Sequence, residues 1–390
     1  MIYLDNNATT KLAPEVREAI LPWLEDSYGN PSAGYRLGKL SRKAIEEARE
    51  KVAALIDAEP QEIVFTSGGT ESNNTAIRSA LQLRPERKGF LTSTVEHSAV
   101  DSVAQFFGQT GYDVALNPVD SAGRLDLETW KATCDKNELA IASLIWANNE
   151  TGILSPIDEA TAIAAASDVY FHTDAVQAIG KVPVSVRDFP IHALSMSAHK
   201  LHGPKGIGAL YLNRHTRFEA QNLGGGQENE RRSGTENVPG IVGFGVAAEL
   251  AMAHLDEMAS IAAMRDEFEK ALVETVEGVE INGAVDARLP NTSNLFFPGV
   301  DGEGLLILLD EAGVCCSPGS ACSTGAVKPS RIIKAMGHSP ARARSSVRFS
   351  FSRFNESDEI APAVEAIRAA VSKLRVVMPS GGSRVVGGPR

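Results

Sequence analysis

Between residues 62 and 212, short apolar runs alternate with longer helix-like stretches, and this alternation limits the fold more than any other feature of the chain. Strand-like segments lie at Glu62–Thr66, Gly89–Ser93, Asp113–Leu116, Ala140–Trp146, Val169–His172, Ala193–Ser197 and Gly208–Leu212. Strands that alternate with helices pair most readily in parallel, each helix carrying the chain back across one face. The expected fold class is therefore α/β, with a mostly parallel seven-stranded sheet covered on both sides. Two amphipathic helices precede it. One spans about Ala13 to Glu25, with Pro14 suited to a first turn. The other spans about Ser41 to Ile56, with Ile45, Ala48, Val52 and Leu55 on one face.

After about Asn237 the texture changes. A long helical stretch from Val238 through His254 leads into shorter segments at Asn294–Phe297, Gly304–Glu311 and Ser346–Ser352, and then a helix at Ser357–Leu374. This change of texture predicts a smaller α+β domain after the sheet; the expected bounds are 14–255 for the large domain and 1–13 with 256–376 for the smaller. The end, 377–390, is rich in Gly, Ser and Arg without apolar periodicity, so it is expected to be disordered. The Gly243-Phe244-Gly245-Val246-Ala247-Ala248 run fits a dinucleotide fingerprint in letters only. It lies inside a helical pattern with no strand before it, so close helix packing is the expected use.

Charge narrows the partners. The formal net charge is −11, with no basic run or aromatic–basic cluster, which speaks against nucleic acid and anionic membranes. The longest apolar runs, Leu139–Ala147 and Leu305–Leu309, are far shorter than a membrane span and suit buried strands or a core helix. The first residues show neither a basic region nor a signal-like apolar stretch, and a cytoplasmic location is expected. Four cysteines in 390 residues make no disulfide scaffold. Cys134 stands alone and reads as an inert thiol. Cys315, Cys316 and Cys322 cluster, which leaves a redox pair, a nucleophile or a metal site open. The metal set is poor in ligands, with only the isolated His338 near it, so no metal residue is assigned.

Four strand ends carry polar groups of the kind that hold ligands in open α/β sheets. Thr66-Ser67-Gly68-Gly69-Thr70-Glu71-Ser72-Asn73-Asn74 joins a strand to a helix, and its glycines and free N–H groups suit a phosphate; small residues also serve as plain helix caps. Asp174 ends an apolar strand, where a carboxylate is costly unless paired: a protonated ring nitrogen would pair it, and capping the next helix is the alternative. Asn148 and Asn149 follow a third strand; apart from these four, His97 follows the strand Gly89–Ser93, where a lone histidine is more often structural. Ser197-Ala198-His199-Lys200 follows a fourth and puts a lysine beside glycine-rich backbone.

The combination of Ser197-Ala198-His199-Lys200, Arg232-Ser233-Gly234-Thr235 and Gly319-Ser320-Ala321-Cys322, with Tyr3-Leu4-Asp5-Asn6-Asn7-Ala8-Thr9-Thr10 at the start, resembles the NifS/IscS-like cysteine desulfurases of the class V aminotransferase family. The resemblance implies the fold type I of enzymes using pyridoxal 5′-phosphate, a large sheet domain plus a smaller α+β domain. It implies that Lys200 bonds the cofactor's aldehyde carbon, and that Gly69, Thr70, Ser197 and His199 hold its phosphate, with Thr235 reaching in from a partner subunit. Asp174 would pair with the ring nitrogen, Gln177 with the ring hydroxyl, and His97 would stack on the ring and shuttle protons. Asn149 would lie beside the ring near the substrate, and Arg348 would grip the substrate carboxylate. Cys322 would be the nucleophile that takes sulfur from L-cysteine as a persulfide, leaving alanine. A homodimer follows from the role of Thr235, and a sulfur acceptor or iron–sulfur scaffold protein would be the next partner. Cys315 and Cys316 depart from the family pattern and read as packing residues, with a sulfur-relay role as the alternative. A selenocysteine lyase, or another class V aminotransferase-like enzyme using the same cofactor, is the rival within the class. A sulfur carrier or scaffold without catalysis and a cysteine-cluster metal protein are the rivals outside it.

Overall fold

The computed structural model describes residues 1–136, 138–318 and 329–377. A short strand, β1 (Ile2–Tyr3), opens the chain, and the central sheet follows as β2 (Ile63–Thr66), β3 (Gly89–Ser93), β4 (Asp113–Asn117), β5 (Leu139–Ile145), β6 (Tyr170–Asp174), β7 (Ala193–Ser197) and β8 (Gly208–Leu212). Their spatial order is β2-β8-β7-β6-β5-β3-β4. All seven expected strands are present, with ends shifted by a few residues. Every pairing is parallel except those of β8, which runs antiparallel to both β2 and β7.

Side-chain alternation divides this sheet between two cores. Ile63, Phe65, Leu91, Ala142, Phe171 and Leu194 face one side, where they meet Ile45 and Val52 of the helix Arg36–Ala54 and Phe244 of the helix Val238–Ala253. Val64, Phe90, Ile141, Tyr170 and Leu210 face the other, against Ala76, Ile77 and Ala80 of the helix Gly69–Leu83. The glycines of the fingerprint-like run serve helix packing: a Cβ on Gly245 would stand 2.7 Å from Ala48 Cα, and one on Gly243 2.6 Å from Pro204 Cγ.

A separate core gathers Leu4, Phe268, Phe297, Phe349 and Ile367. Its sheet is built from β9 (Glu280–Ile281), β10 (Thr292–Phe296), β12 (Ser317–Pro318) and β13 (Ser346–Ser350), in the order β12-β13-β10-β9, while β11 (Val314–Cys315) pairs with β1. The apolar run Leu305–Leu309 is helical, within Gly302–Glu311. Thus the first residues of the chain pack with its last third. Among the described residues, no single helix is long and apolar enough to cross a membrane.

Candidate active site

Because β8 is antiparallel to both neighbours, β2 points the same way as β3, β5, β6 and β7, and all five open onto one edge of the sheet. The turn after β2 is pressed against that edge. A Cβ on Gly208 would lie 2.6 Å from Gly68 Cα, and one on Gly69 2.7 Å from Val176 Cγ2, so bare backbone is needed at both contacts. The helix Gly69–Leu83 begins there and presents unpaired N–H groups beside the Thr70 side chain. Below them the Thr66 and Ser72 hydroxyls share a 2.8 Å hydrogen bond. Glu71 accepts from the Ser67 N–H at 2.8 Å and pairs with Arg232 at 2.9 Å.

Asp174 ends β6. Its Oδ2 accepts from Asn73 Nδ2 at 2.6 Å and its Oδ1 from the Val176 N–H at 3.0 Å. One carboxylate oxygen thus bonds the turn after β6 and the other the Asn73 amide. His97 caps the helix Ser98–Gln109, its Nδ1 accepting the Ala99 N–H at 3.1 Å, which leaves the ring proton on Nε2. Burial, joined by Lys200 and Arg331, holds the His97 imidazole below its usual pKa, against the pull of Asp174. Glu96 lies fully buried beside it. Burial pushes its carboxyl up to about 8, Asp174 adding to the effect, while bonds from the Ile145 N–H (2.9 Å) and the Ser93 hydroxyl (2.8 Å) oppose it.

Lys200 follows β7 on a single turn of 3₁₀ helix, Ala198–Lys200. Its Nζ donates to the carbonyls of Asn7 and Ala8. Burial, then the nearby Arg348 charge, lower the Lys200 pKa to about 8, while Asp5 and Asp174 act to raise it. His199 bonds Thr9 Oγ1 at 3.1 Å, and burial together with Lys200 takes its pKa down to about 4, so it stands neutral at pH 7. Arg348, on β13, comes from the other core. Its Nη1 donates to the Asn149 carbonyl at 2.9 Å and its Nη2 pairs with Asp5 Oδ1 at 2.6 Å. Its Nε is buried with no partner among the described residues.

These groups line one cavity of ≈ 320 Å³: Gly69, Thr70, His97, Asn149, Asp174, Gln177, Ser197, His199, Lys200 and Arg348 all border it. Thr235 does not. It lines a different hollow with Phe65, Ser67, Gly206 and Arg232. Cys322 lies outside the described residues, as does 378–390. Cys316 packs against the second core and Cys315 is half-buried, and burial raises the pKa of both thiols. Cys134 is wholly buried, its pKa pushed up to about 12 by burial and by Asp135. No group of three or more potential metal ligands occurs among the described residues.

Sequence reasoning left Asp5, Asn7, Asn73 and Lys181 without roles. Asn7 is a hub: its carbonyl accepts from Lys200 and from Gln177 Nε2 (2.9 Å), and its side chain bonds Lys181, Asn291 and Thr292 at 3.0, 3.1 and 2.8 Å. Lys181, fully buried, also donates to Gln177 Oε1 at 2.7 Å, and burial drives its pKa far down. Asn73 could have been found, since it lies one helical turn beyond Gly69 and so shares its face. Asp5 and Asn7 have partners some 300 residues away, which no local pattern reports.

The family model Aminotransferase class-V matches residues 2–362. The cysteine desulfurase NifS of Azotobacter vinelandii is 45% identical over 380 residues, covering 97% of this chain and 94% of that protein. A solved NifS-like protein superposes with a TM-score of 0.90 at 33% identity, covering 95% of this chain and 99% of its own. The structure titled SspA in complex with cysteine gives 0.81 at 35% identity, covering 91% and 100%. A strand-end cavity of this composition, in a fold and a sequence so closely shared along their whole length, places the chain in the class-V aminotransferase family, among its NifS-like cysteine desulfurases.

Proposed function

We propose that this chain is a cysteine desulfurase using pyridoxal phosphate, which removes sulfur from L-cysteine, releases L-alanine and passes the sulfur to an acceptor protein. One observation carries the reading: groups from five strand ends and from β13 border one cavity, with a lysine, a strand-end carboxylate and a partly unpaired arginine among them. The cavity is of the size that small cofactors and substrates occupy.

The residues present fit the cofactor. The bare backbone at Gly69 and the helix start beside Thr70, with Ser197 and His199, would hold the phosphate. Asp174 would hold a proton at the ring nitrogen, Gln177 would meet the ring hydroxyl and His97 the ring face. Thr235 would serve the site of the second subunit in a homodimer. When bound, the cofactor supplies a carbonyl carbon that bonds amines and an electron-accepting ring.

The protein's own groups then divide the labour. Arg348 binds the substrate carboxylate through its spare donors, and Asn149 stands beside it. Lys200, its pKa drawn down to about 8, takes the proton from the substrate α-carbon and returns protons as alanine forms. Cys322 is the nucleophile: its thiolate forms an S–S bond to the substrate sulfur as the C–S bond breaks, the bonding pair staying with carbon. Connectivity supports that role, because Pro318 lines the cavity and four residues of extended chain reach roughly 14 Å. The persulfide sulfur would leave for an acceptor in iron–sulfur cluster assembly, in the cytoplasm.

The test uses two variants of the purified, cofactor-loaded protein. Lys200→Ala should abolish the visible band of the lysine-bonded cofactor, and an unchanged band would refute the assignment. Cys322→Ser should still bind cofactor and L-cysteine yet make no sulfide; turnover retained at the original rate would move the nucleophile elsewhere.

A further inference from the structure

Arg348 already has an anionic partner. Its guanidinium meets the Asp5 carboxylate at 2.6 Å, in a pair whose side chains are 5% and 16% exposed. Asp5 is fixed independently of Arg348. Its Oδ2 accepts from Ser317 Oγ at 2.9 Å, its backbone bridges to Ser350, and its carbonyl accepts the Ala8 N–H at 3.0 Å. Asp5 therefore cannot simply follow the arginine toward another ligand. Other ionisable groups lie close by: burial, with the Arg348 charge adding to it, lowers the pKa of Lys200 and Lys181, and burial raises that of Glu150 against the pull of Arg348. None of them bonds the guanidinium, and Asp5 is its only salt-bridge partner among the described residues.

We propose that Asp5 is the resident counter-ion of Arg348 and sets how tightly the site holds the carboxylate of an amino acid. The inference rests on Arg348 being the carboxylate-binding residue of the proposed function. An incoming carboxylate must share a guanidinium that Asp5 already neutralises, and two carboxylates on one arginine repel each other. The arrangement holds substrate and product loosely enough to exchange. It also discriminates against simple anions, which would otherwise collect on an unpaired buried cation. Asp5 acts through Arg348 and is a specificity-determining rather than a catalytic residue.

The test compares two ligands, L-alanine and L-alaninamide, which share an amine and a methyl group and differ in the carboxylate. Their dissociation constants are measured on cofactor-loaded protein by calorimetry and by the cofactor's absorbance. Asp5→Asn keeps shape and removes charge. It should bind L-alanine about tenfold more tightly, while the constant for L-alaninamide stays within about twofold of the original. A purely structural role would move both ligands together. Unchanged or weaker L-alanine binding, or an equal shift for both ligands, overturns the proposal. Ser317→Ala leaves the Asp5 charge in place and should leave the alanine-to-alaninamide ratio unchanged; a tenfold change there would assign the effect to the anchor and overturn it too. If Asp5→Asn does not fold, Asp5→Ser removes the same charge and must produce the same ratio. Arg348→Gln separates the two readings. If it abolishes the preference for L-alanine while Asp5→Asn does nothing, only the counter-ion proposal fails. If the preference survives without Arg348, the carboxylate-binding role itself fails.

Discussion

Lys200 donates to two main-chain carbonyls and still has its pKa drawn down to about 8, because burial and the Arg348 charge outweigh the nearby Asp5 and Asp174. That gap affects folding. Below pH 8 the lysine is protonated in both the folded and unfolded chain, and the folded state bears the whole cost of a buried charge. Between about 8 and the ordinary value of 10.5 the folded protein has released the proton and the unfolded chain has not. The unfolded state then binds more protons, so the lysine's contribution to stability rises with pH across that window. For the cofactor-free protein, wild-type stability minus that of Lys200→Met should increase by on the order of 2–3 kcal/mol between pH 7.5 and 10.5. Urea denaturation at matched pH values measures it. The two lost carbonyl bonds lower or raise the whole curve and do not bend it; a flat difference would mean that the amine is not held in a low-dielectric site. Asp174 was legible in the sequence because a carboxylate at the end of an apolar strand is costly unless paired. A lysine in a glycine-rich turn reads by itself as solvated, so Lys200 stands out only beside the other strand-end segments and the resemblance they carry. Asp5 and Asn7 were not legible, because their importance lies entirely in partners such as Arg348, Ser317 and Asn291 that folding brings from the other end of the chain.

The strands themselves were readable because each core-facing set alternates, Val64 against Phe65 and Phe90 against Leu91, and each is closed off by polar or glycine residues. The parallel run of most strands was readable from their alternation with helices, but the direction of β8 was not. Nothing in Gly208–Leu212 says that it returns antiparallel between β2 and β7, since the pattern of a strand is the same read either way. Its direction nevertheless places Gly208 at the ligand edge, opposite Thr66. With the would-be Cβ 2.6 Å from both Gly68 Cα and Met196 O, no side chain can be added without lifting the turn after β2 off the sheet. Gly208→Ala should therefore weaken pyridoxal phosphate binding by about tenfold or more, because the helix start and Thr70 move as one unit. The dissociation constant is read by titrating the cofactor into stripped protein. Lower affinity with the far-ultraviolet circular dichroism retained is the expected result, and unchanged affinity would mean that this turn does not hold the phosphate.

At the scale of the whole molecule, the core between the sheet and the helices Arg36–Ala54 and Val238–Ala253 and the separate core around Phe268 and Phe349 share no side chains. The chain crosses between these two near its start: Leu4 belongs to the second, Ala13 and Val16 to the first. Asn7 sits between them. Its side chain joins Lys181, just beyond β6, to Asn291 and to Thr292 on β10, and its N–H donates to Ser350 Oγ on β13. The site lies across the same boundary, with Arg348 supplied from one side and Lys200 from the other. A truncation at Asn7 leaves a buried lysine and a buried amide each short of a partner, which costs about 2–4 kcal/mol in comparable networks. Asn7→Ala should lower stability by that amount, and in differential scanning calorimetry it should broaden or split the transition as the cores begin to melt separately. Protomer concentration has to be held constant in that comparison, since any self-association adds to apparent stability. The substitution leaves the Asn7 carbonyl that Lys200 and Gln177 bond, so cofactor affinity at low temperature should change little. Lost cooperativity with affinity retained assigns the side chain to coupling the two cores. If affinity falls while the melting transition stays single and unshifted, the side chain serves the site and not the joint between cores.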